Sequence, residues 1–189
     1  KDEAAARSFA THNLTLSLII STVWAIILFT FAPFIIRFYE LKEHIAFDAI
    51  NYLRIVSTAF PFVFMSAAFT GIFNAGGRSK IPFTINGIGL IINMILDPLF
   101  IFVFDWKTDG AALATWIAQA CVFGLFVYQL KFKKILWDDF RFFSRLKRVY
   151  TTKIVKIGFP VATLNVLFAF VNMFLGRTAS TVGGHIGLM

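Results

Sequence analysis

The chain has 189 residues, 58% of them hydrophobic, with 25 Phe and a mean hydropathy of +0.77. A soluble domain is about 45–50% apolar, so this composition excludes an ordinary water-soluble globule. The net charge of +8 would suit nucleic acid, but the basic residues sit in loops beside apolar spans, where a membrane protein places them.

Residues 1–11 are charged and then polar, with Lys1, Asp2, Glu3 and Arg7. They read as the end of a loop, with Thr11 and Asn13 as helix caps. His12 at that entry reads as an interfacial histidine, since a relay role needs a partner that the nearby sequence lacks. The first span, about 13–36, contains no Asp, Glu, Lys or Arg. Ser17, Ser21 and Thr22 can bond to the backbone or to a neighbouring helix, and Pro33 loosens the last turn. A polar turn begins at Arg37, and the second span covers about 45–73. Arg54 within it can snorkel to the interface. Ser66, Thr70 and Asn74, spaced by four, share one face, and Pro61 predicts a kink. Gly76 and Gly77 then make a tight turn. No strand precedes them and no GK[ST] follows, so they are not a phosphate loop.

The third span, about 81–104, holds twenty-four residues with one charge, Asp97. An acid near the centre of a spanning helix costs about 2.5–3.5 kcal/mol, so something must offset it. Asn86, Leu90, Asn93 and Asp97 fall on one stripe at helical spacing. Pro98 lacks an N–H and crowds the carbonyl of Met94, one turn from Asp97. A carboxylate, an amide oxygen and a freed carbonyl are hard ligands for an alkali cation, so Na+ at Asp97 and Asn93 is one reading. A proton on the carboxylate is another, and a helix-gluing role is the third. Gly87 and Gly89 would admit a close neighbour.

The fourth span is about 110–130. Gly110, Ala111, Ala114 and Ala118 give it a small-residue face, with Thr115 and Gln119 polar and one turn apart. A short turn makes the third and fourth spans antiparallel neighbours, so Thr115 can face the Asn93–Asp97 level. Cys121 reads as a small buried hydrophobe, and one cysteine excludes a disulfide framework within the chain. Residues 131–156 hold nine of the eighteen Lys and Arg, among them Lys131, Arg141, Arg145, Lys147 and Arg148, interleaved with aromatics. They read as an interfacial amphipathic helix on an anionic leaflet. The fifth span, about 157–176, carries Asn165 and Asn172 on one face. Thirteen Lys and Arg lie on the side of the start, the second turn and the 131–156 segment, against Arg37, Lys42, Lys107 and Arg177 on the other. The first side is therefore expected to be cytoplasmic. An odd number of spans, a first residue that is not Met and no evident stop at the end read as an internal fragment.

Several runs resemble the multidrug and toxic compound extrusion (MATE) transporters. They are Tyr52-Leu53-Arg54-Ile55, Phe73 to Pro82 (FNAGGRSKIP), Asn93 to Phe102 (NMILDPLFIF), Gly110 to Thr115 (GAALAT) and Lys156 to Pro160 (KIGFP). Their order and their positions at span boundaries make the set specific, and it covers nearly the whole chain. The resemblance implies an all-α polytopic membrane protein whose five helices are part of a two-lobe, twelve-helix bundle. Residues 1–130 would be an incomplete N-terminal lobe, 131–156 the cytoplasmic lobe linker, and 157–189 the first helix of the C-terminal lobe. It implies export of organic cations or amphipathic drugs by antiport against Na+ or H+. Asp97, Asn93 and Thr115 fall on the coupling-ion positions. Asn86, Gln119, Asn165 and Asn172 remain as a polar face for substrate or packing. The family's site also takes an Asp from helix one, which this chain does not contain.

The resemblance further implies a monomeric, multi-pass protein of a prokaryotic cytoplasmic membrane, with no cofactor and no nucleic-acid partner. The alternative function is a lipid-linked oligosaccharide flippase of the same superfamily, which would show a cavity lined by Arg and Lys. An intramembrane enzyme ranks low, because a lone acid makes no dyad and no Ser–His pair lies within the spans. A structural or receptor module would show no transport at all.

Overall fold

The computed structural model describes residues 3–137, 140 and 142–186. Readings placed on Lys1, Asp2 and Arg141 lie outside the described residues. The order is α1 (Glu3–Arg37), α2 (Glu43–Ala75), α3 (Lys80–Pro98), a π-helical turn (Leu99–Val103), α4 (Lys107–Lys131) and α5 (Arg148–Ile186). Five spans are long and apolar enough to cross a membrane, with α3 and the π turn counting as one, Lys80–Val103. No strand occurs among the described residues, and the all-α architecture is the one expected.

Helix α4 sits between α2 and α3, while α1 packs on the other flank of α2. The core lies where these helices meet. Phe69 and Phe73 of α2 pack with Phe126 and Leu130 of α4, joined by Leu14 of α1 and Ile85 of α3. The Phe69 and Phe126 rings stack with centroids 5.6 Å apart. Gly77 ends α2 with φ of 71°, a left-handed conformation that only glycine adopts without cost. It lets the Arg78 N–H reach back to Phe73 O at 2.9 Å, which satisfies a carbonyl at the helix end.

Four expectations need correction. Helix α1 starts at Glu3, not near residue 13. The run Glu3-Ala4-Ala5-Ala6-Arg7 is strongly helix-forming, and Glu3 complements the N-terminal dipole, so the charges mark a helix start rather than a loop. Thr11 and Asn13 therefore lie inside the helix, and the Thr11 hydroxyl donates to Arg7 O at 3.0 Å instead of capping. His12 does not stand exposed at the helix entry but is packed inside the bundle. It is 4% exposed, its Nδ1 is 2.7 Å from Ser8 O, and its ring lies 4.7 Å from that of Tyr150.

The third correction concerns the linker. The described residues between Phe132 and Lys147 form no helix, and the rest of 131–156, from Arg148, already belongs to α5. The apolar side chains there do not line up as a membrane-facing stripe. Ile135, Leu136, Trp137, Phe140 and Phe142 fold back onto the core. Trp137 stacks on Phe140 at 5.3 Å, and Phe142 meets Phe69 edge-on at 6.2 Å. Leu136 reaches so near Gly76 that a Cβ on that glycine would lie 2.5 Å from it. Fourth, Cys121 is exposed rather than buried.

Among the elements helix α5 packs against α1, and it also meets the turn that follows α1. Near its start, Tyr150 lies edge-on to Phe9 at 4.8 Å. Near its far end, Phe174 meets Phe38 at 5.8 Å, Gly176 comes close to Tyr39, and Arg177 pairs with Glu40.

Candidate ion site

The polar stripe of α3 carries the candidate site, and its Asn86, Leu90 and Asn93 line a cavity against α4. The Asn93 amide donates from Nδ2 to Asp97 Oδ1 at 3.2 Å. Residues four apart on a helix are neighbours, so the sequence spacing builds this pair directly. Both side chains are partly buried. Asn93 also lines a cavity of about 260 Å³ between α3 and α4, together with Asn86, Thr115 and Gln119. The structure thus brings together four of the polar residues singled out from the sequence, with Asp97 bonded to one of them. The Thr115 hydroxyl donates to Ala111 O at 3.0 Å, which leaves its oxygen lone pairs to accept. Asn86 donates to the Thr70 hydroxyl at 3.4 Å and ties α3 to α2.

Asn165 and Asn172 are not part of this group. Both are exposed on α5, and Asn172 donates to Phe168 O of its own helix at 2.9 Å.

The close approach of α3 and α4 rests on Gly89. A Cβ there would lie 2.2 Å from Val122 Cγ2, so only glycine allows this spacing. Gly87 was expected to share that role, but it faces open space. Gly110 does a similar job at the other end of the pair, where a Cβ would meet the Phe100 backbone at 3.0 Å.

The helix changes its winding directly after Asp97. The Leu99 N–H, next after Pro98, bonds to Leu96 O, three residues back. The Phe104 N–H then reaches Leu99 O at 3.1 Å and the Trp106 N–H reaches Phe100 O at 3.0 Å. Proline has no N–H to give, so the regular ladder cannot continue through position 98, and the chain widens into a π turn. Such turns concentrate at functional positions in helices.

Arg54 of α2 packs against α1. Its guanidinium lies 5.6 Å from the Phe29 ring centre, and Nε is buried without a hydrogen-bond partner among the described residues. It lines a second cavity, of about 560 Å³, with Phe29, Asn51, Asp109 and Trp116. The sequence carried no signal for this, because Asp109 lies far from Arg54 along the chain.

Residues 1–99 match the family model described as MatE. The chain is 29% identical over 174 residues to the probable multidrug resistance protein YoeA of Bacillus subtilis (strain 168), covering 88% of this chain and 37% of that protein. It is 28% identical over 126 residues to the multidrug export protein MepA of Staphylococcus aureus (strain bovine RF122 / ET3-1), covering 66% of this chain and 28% of that one. Among solved structures it superposes on an inward-facing multidrug resistance MATE family transporter of the MOP superfamily. The TM-score is 0.87 at 26% identity, over 97% of this chain and 42% of that chain. The outward-facing conformation of a MATE family transporter of that superfamily gives a TM-score of 0.83 at 26% identity, over 97% of this chain and 41% of that one. The chain therefore spans well under half the length of these relatives.

Proposed function

This chain belongs to the MatE family, and from that premise we propose that it forms part of a secondary transporter exporting organic cations or amphipathic drugs in exchange for Na+ or H+. The observation that carries the reading is the Asn93–Asp97 hydrogen bond beside the α3–α4 cavity, two residues before the helix leaves α geometry. Asp97 is the coupling-ion residue, with Asn93 and Thr115 as neutral oxygen donors. Among the described residues no three His, Cys, Asp or Glu side chains converge. One carboxylate with neutral oxygens suits a monovalent ion or a proton rather than a tightly caged divalent metal.

The exchange follows from competition for one group. The Asn93 amide proton and an incoming cation both seek the Asp97 oxygens. Ion binding therefore weakens the amide contact and lets Asn93 turn its oxygen toward the ion, beside a π turn that can rewind. Helices α1–α4 are read as an incomplete first lobe, residues 131–156 as the cytoplasmic link, and α5 as the start of the second lobe. The protein resides in a cytoplasmic membrane with its basic segments inside, and its work is transport rather than catalysis. The α3–α4 cavity gives the flippase reading no support, because no Lys or Arg lines it.

The test is efflux of a fluorescent organic cation from vesicles holding the protein that carries this chain, with Na+ and pH gradients imposed in turn. We expect one gradient, and not the other, to drive efflux. Inserted protein that moves no dye under either gradient would sink the antiport reading. A finer test is Thr115→Val, which keeps the shape and removes one oxygen. A neutral hydrogen-bonding group contributes about 1 kcal/mol, so the driving-ion concentration for half-maximal efflux should rise roughly fivefold. The same concentration in variant and wild type would remove Thr115 from the site.

A further inference from the structure

A cavity of about 480 Å³ opens at the opposite end of the bundle from the α2–α1 turn, where α1 begins and α5 is about to begin. Arg7, Thr11 and His12 of α1 line it on one side, and Ser144, Arg145 and Lys147 of the linker on the other. Three cations face one small space, and among the described residues no Asp or Glu lines it. None of the three has a carboxylate within ion-pair distance among the described residues, where Arg177–Glu40 is the only such pair. Two further polar atoms at this cavity are buried without hydrogen-bond partners among the described residues, His12 Nε2 and the Ser144 hydroxyl. His12 is 4% exposed, and its other ring nitrogen is already engaged with Ser8 O. The two walls are held in register, since the Ser144 N–H donates to the Thr15 hydroxyl at 3.2 Å.

Clustered like charges repel, and buried polar atoms without partners are costly, so a bound counter-charge rich in acceptors would relieve both. We propose that the cavity binds a phosphate group. Two guanidinium forks and an ammonium match its geometry and charge, and the Ser144 hydroxyl can donate to a phosphate oxygen. His12 Nε2 can take a hydrogen bond from a protonated phosphate oxygen or, once protonated, give one. The volume suits one phosphate group with part of its substituent rather than a polymer chain. The group is supplied either by an anionic lipid headgroup or by a free phosphate. The proposal stands apart from the transport reading, because no residue of the α3–α4 site takes part.

The test titrates the detergent-purified protein that carries this chain with inorganic phosphate and, separately, with dihexanoyl phosphatidylglycerol, following binding by thermophoresis. Three proteins are compared: wild type, R145A/K147A, and K133A/K134A as a control with the same loss of charge outside the cavity. A basic residue at an anionic surface contributes about one kcal/mol, so the cavity pair should bind roughly thirtyfold more weakly while the control stays near wild type. Phosphatidylglycerol binding without phosphate binding assigns a lipid headgroup, and binding of both assigns the phosphate group itself. Arg145 and Lys147 are exposed and lie outside the helices, so their loss spares the fold, and Arg145→Glu gives a second reading by charge reversal. Saturable binding of neither probe, or equal loss in both double variants, would overturn the proposal.

Discussion

Asp97→Asn is expected to abolish gradient-driven efflux while leaving the protein inserted and folded. The substitution is nearly isosteric, and an amide oxygen at position 97 can still accept from Asn93 Nδ2, as the carboxylate does at 3.2 Å. Packing and the local hydrogen bond therefore survive. What disappears is the negative charge. A unit charge pair 4 Å apart contributes about 4 kcal/mol at an effective dielectric constant of about 20. Losing that much lowers affinity for a monovalent ion by roughly three decades, far below any working concentration. Asp48→Asn, at an exposed position near the start of α2, is the matched control and should transport normally. Efflux that persists in Asp97→Asn at wild-type rate would remove Asp97 from the coupling role. The charge would then have to be accounted for as helix-to-helix glue.

The second large effect is expected at Gly89. A methyl group there would sit 2.2 Å from Val122 Cγ2, well inside contact distance. Val122 is buried and β-branched, so it has few rotamers into which to retreat. Gly89→Ala must therefore push α3 away from α4. Overpacking of this kind costs about 1–3 kcal/mol. It also distorts the wall that holds Asn93 and Thr115, so stability and transport fall together. Thermal unfolding in detergent should show a clear drop in midpoint for Gly89→Ala. Val122→Ala in the same chain removes the clashing methyl and should restore most of the loss. The pair forms a double-mutant cycle, and a coupling near zero would mean that the two helices do not meet as described.

The span layout was legible in the sequence because a bilayer imposes a length and an apolar run that few other environments demand. The Asn93–Asp97 pair was legible because helical periodicity alone makes residues four apart into neighbours. Asn86, Thr115 and Gln119 were half legible. Each stood out as polar in an apolar span, but only the close approach at Gly89 brings them around one cavity. The start of α1 was misread because Glu3 and Arg7 suggested a loop, although the alanines between them favour a helix. The linker was misread for a different reason. Interleaved aromatics and cations look the same in sequence whether they face lipid or fold back on a core. Here Phe142 finds Phe69, a contact of long sequence separation that no local pattern announces. His12 and Arg54 belong to the same class, since both are explained by groups distant in the chain.

The folded-back linker carries a consequence for the order of assembly during synthesis. Its seat is made of Phe69 from α2 and Phe126 from α4, so it does not exist until α4 has been inserted and has closed onto α2. Trp137, Phe140 and Phe142 leave the ribosome with nowhere to settle before that moment. Once they do settle, the start of α5 is delivered beside Phe9 and His12, near the beginning of the chain. The linker thus ties the start of α5 to contacts that the first four helices must already have made.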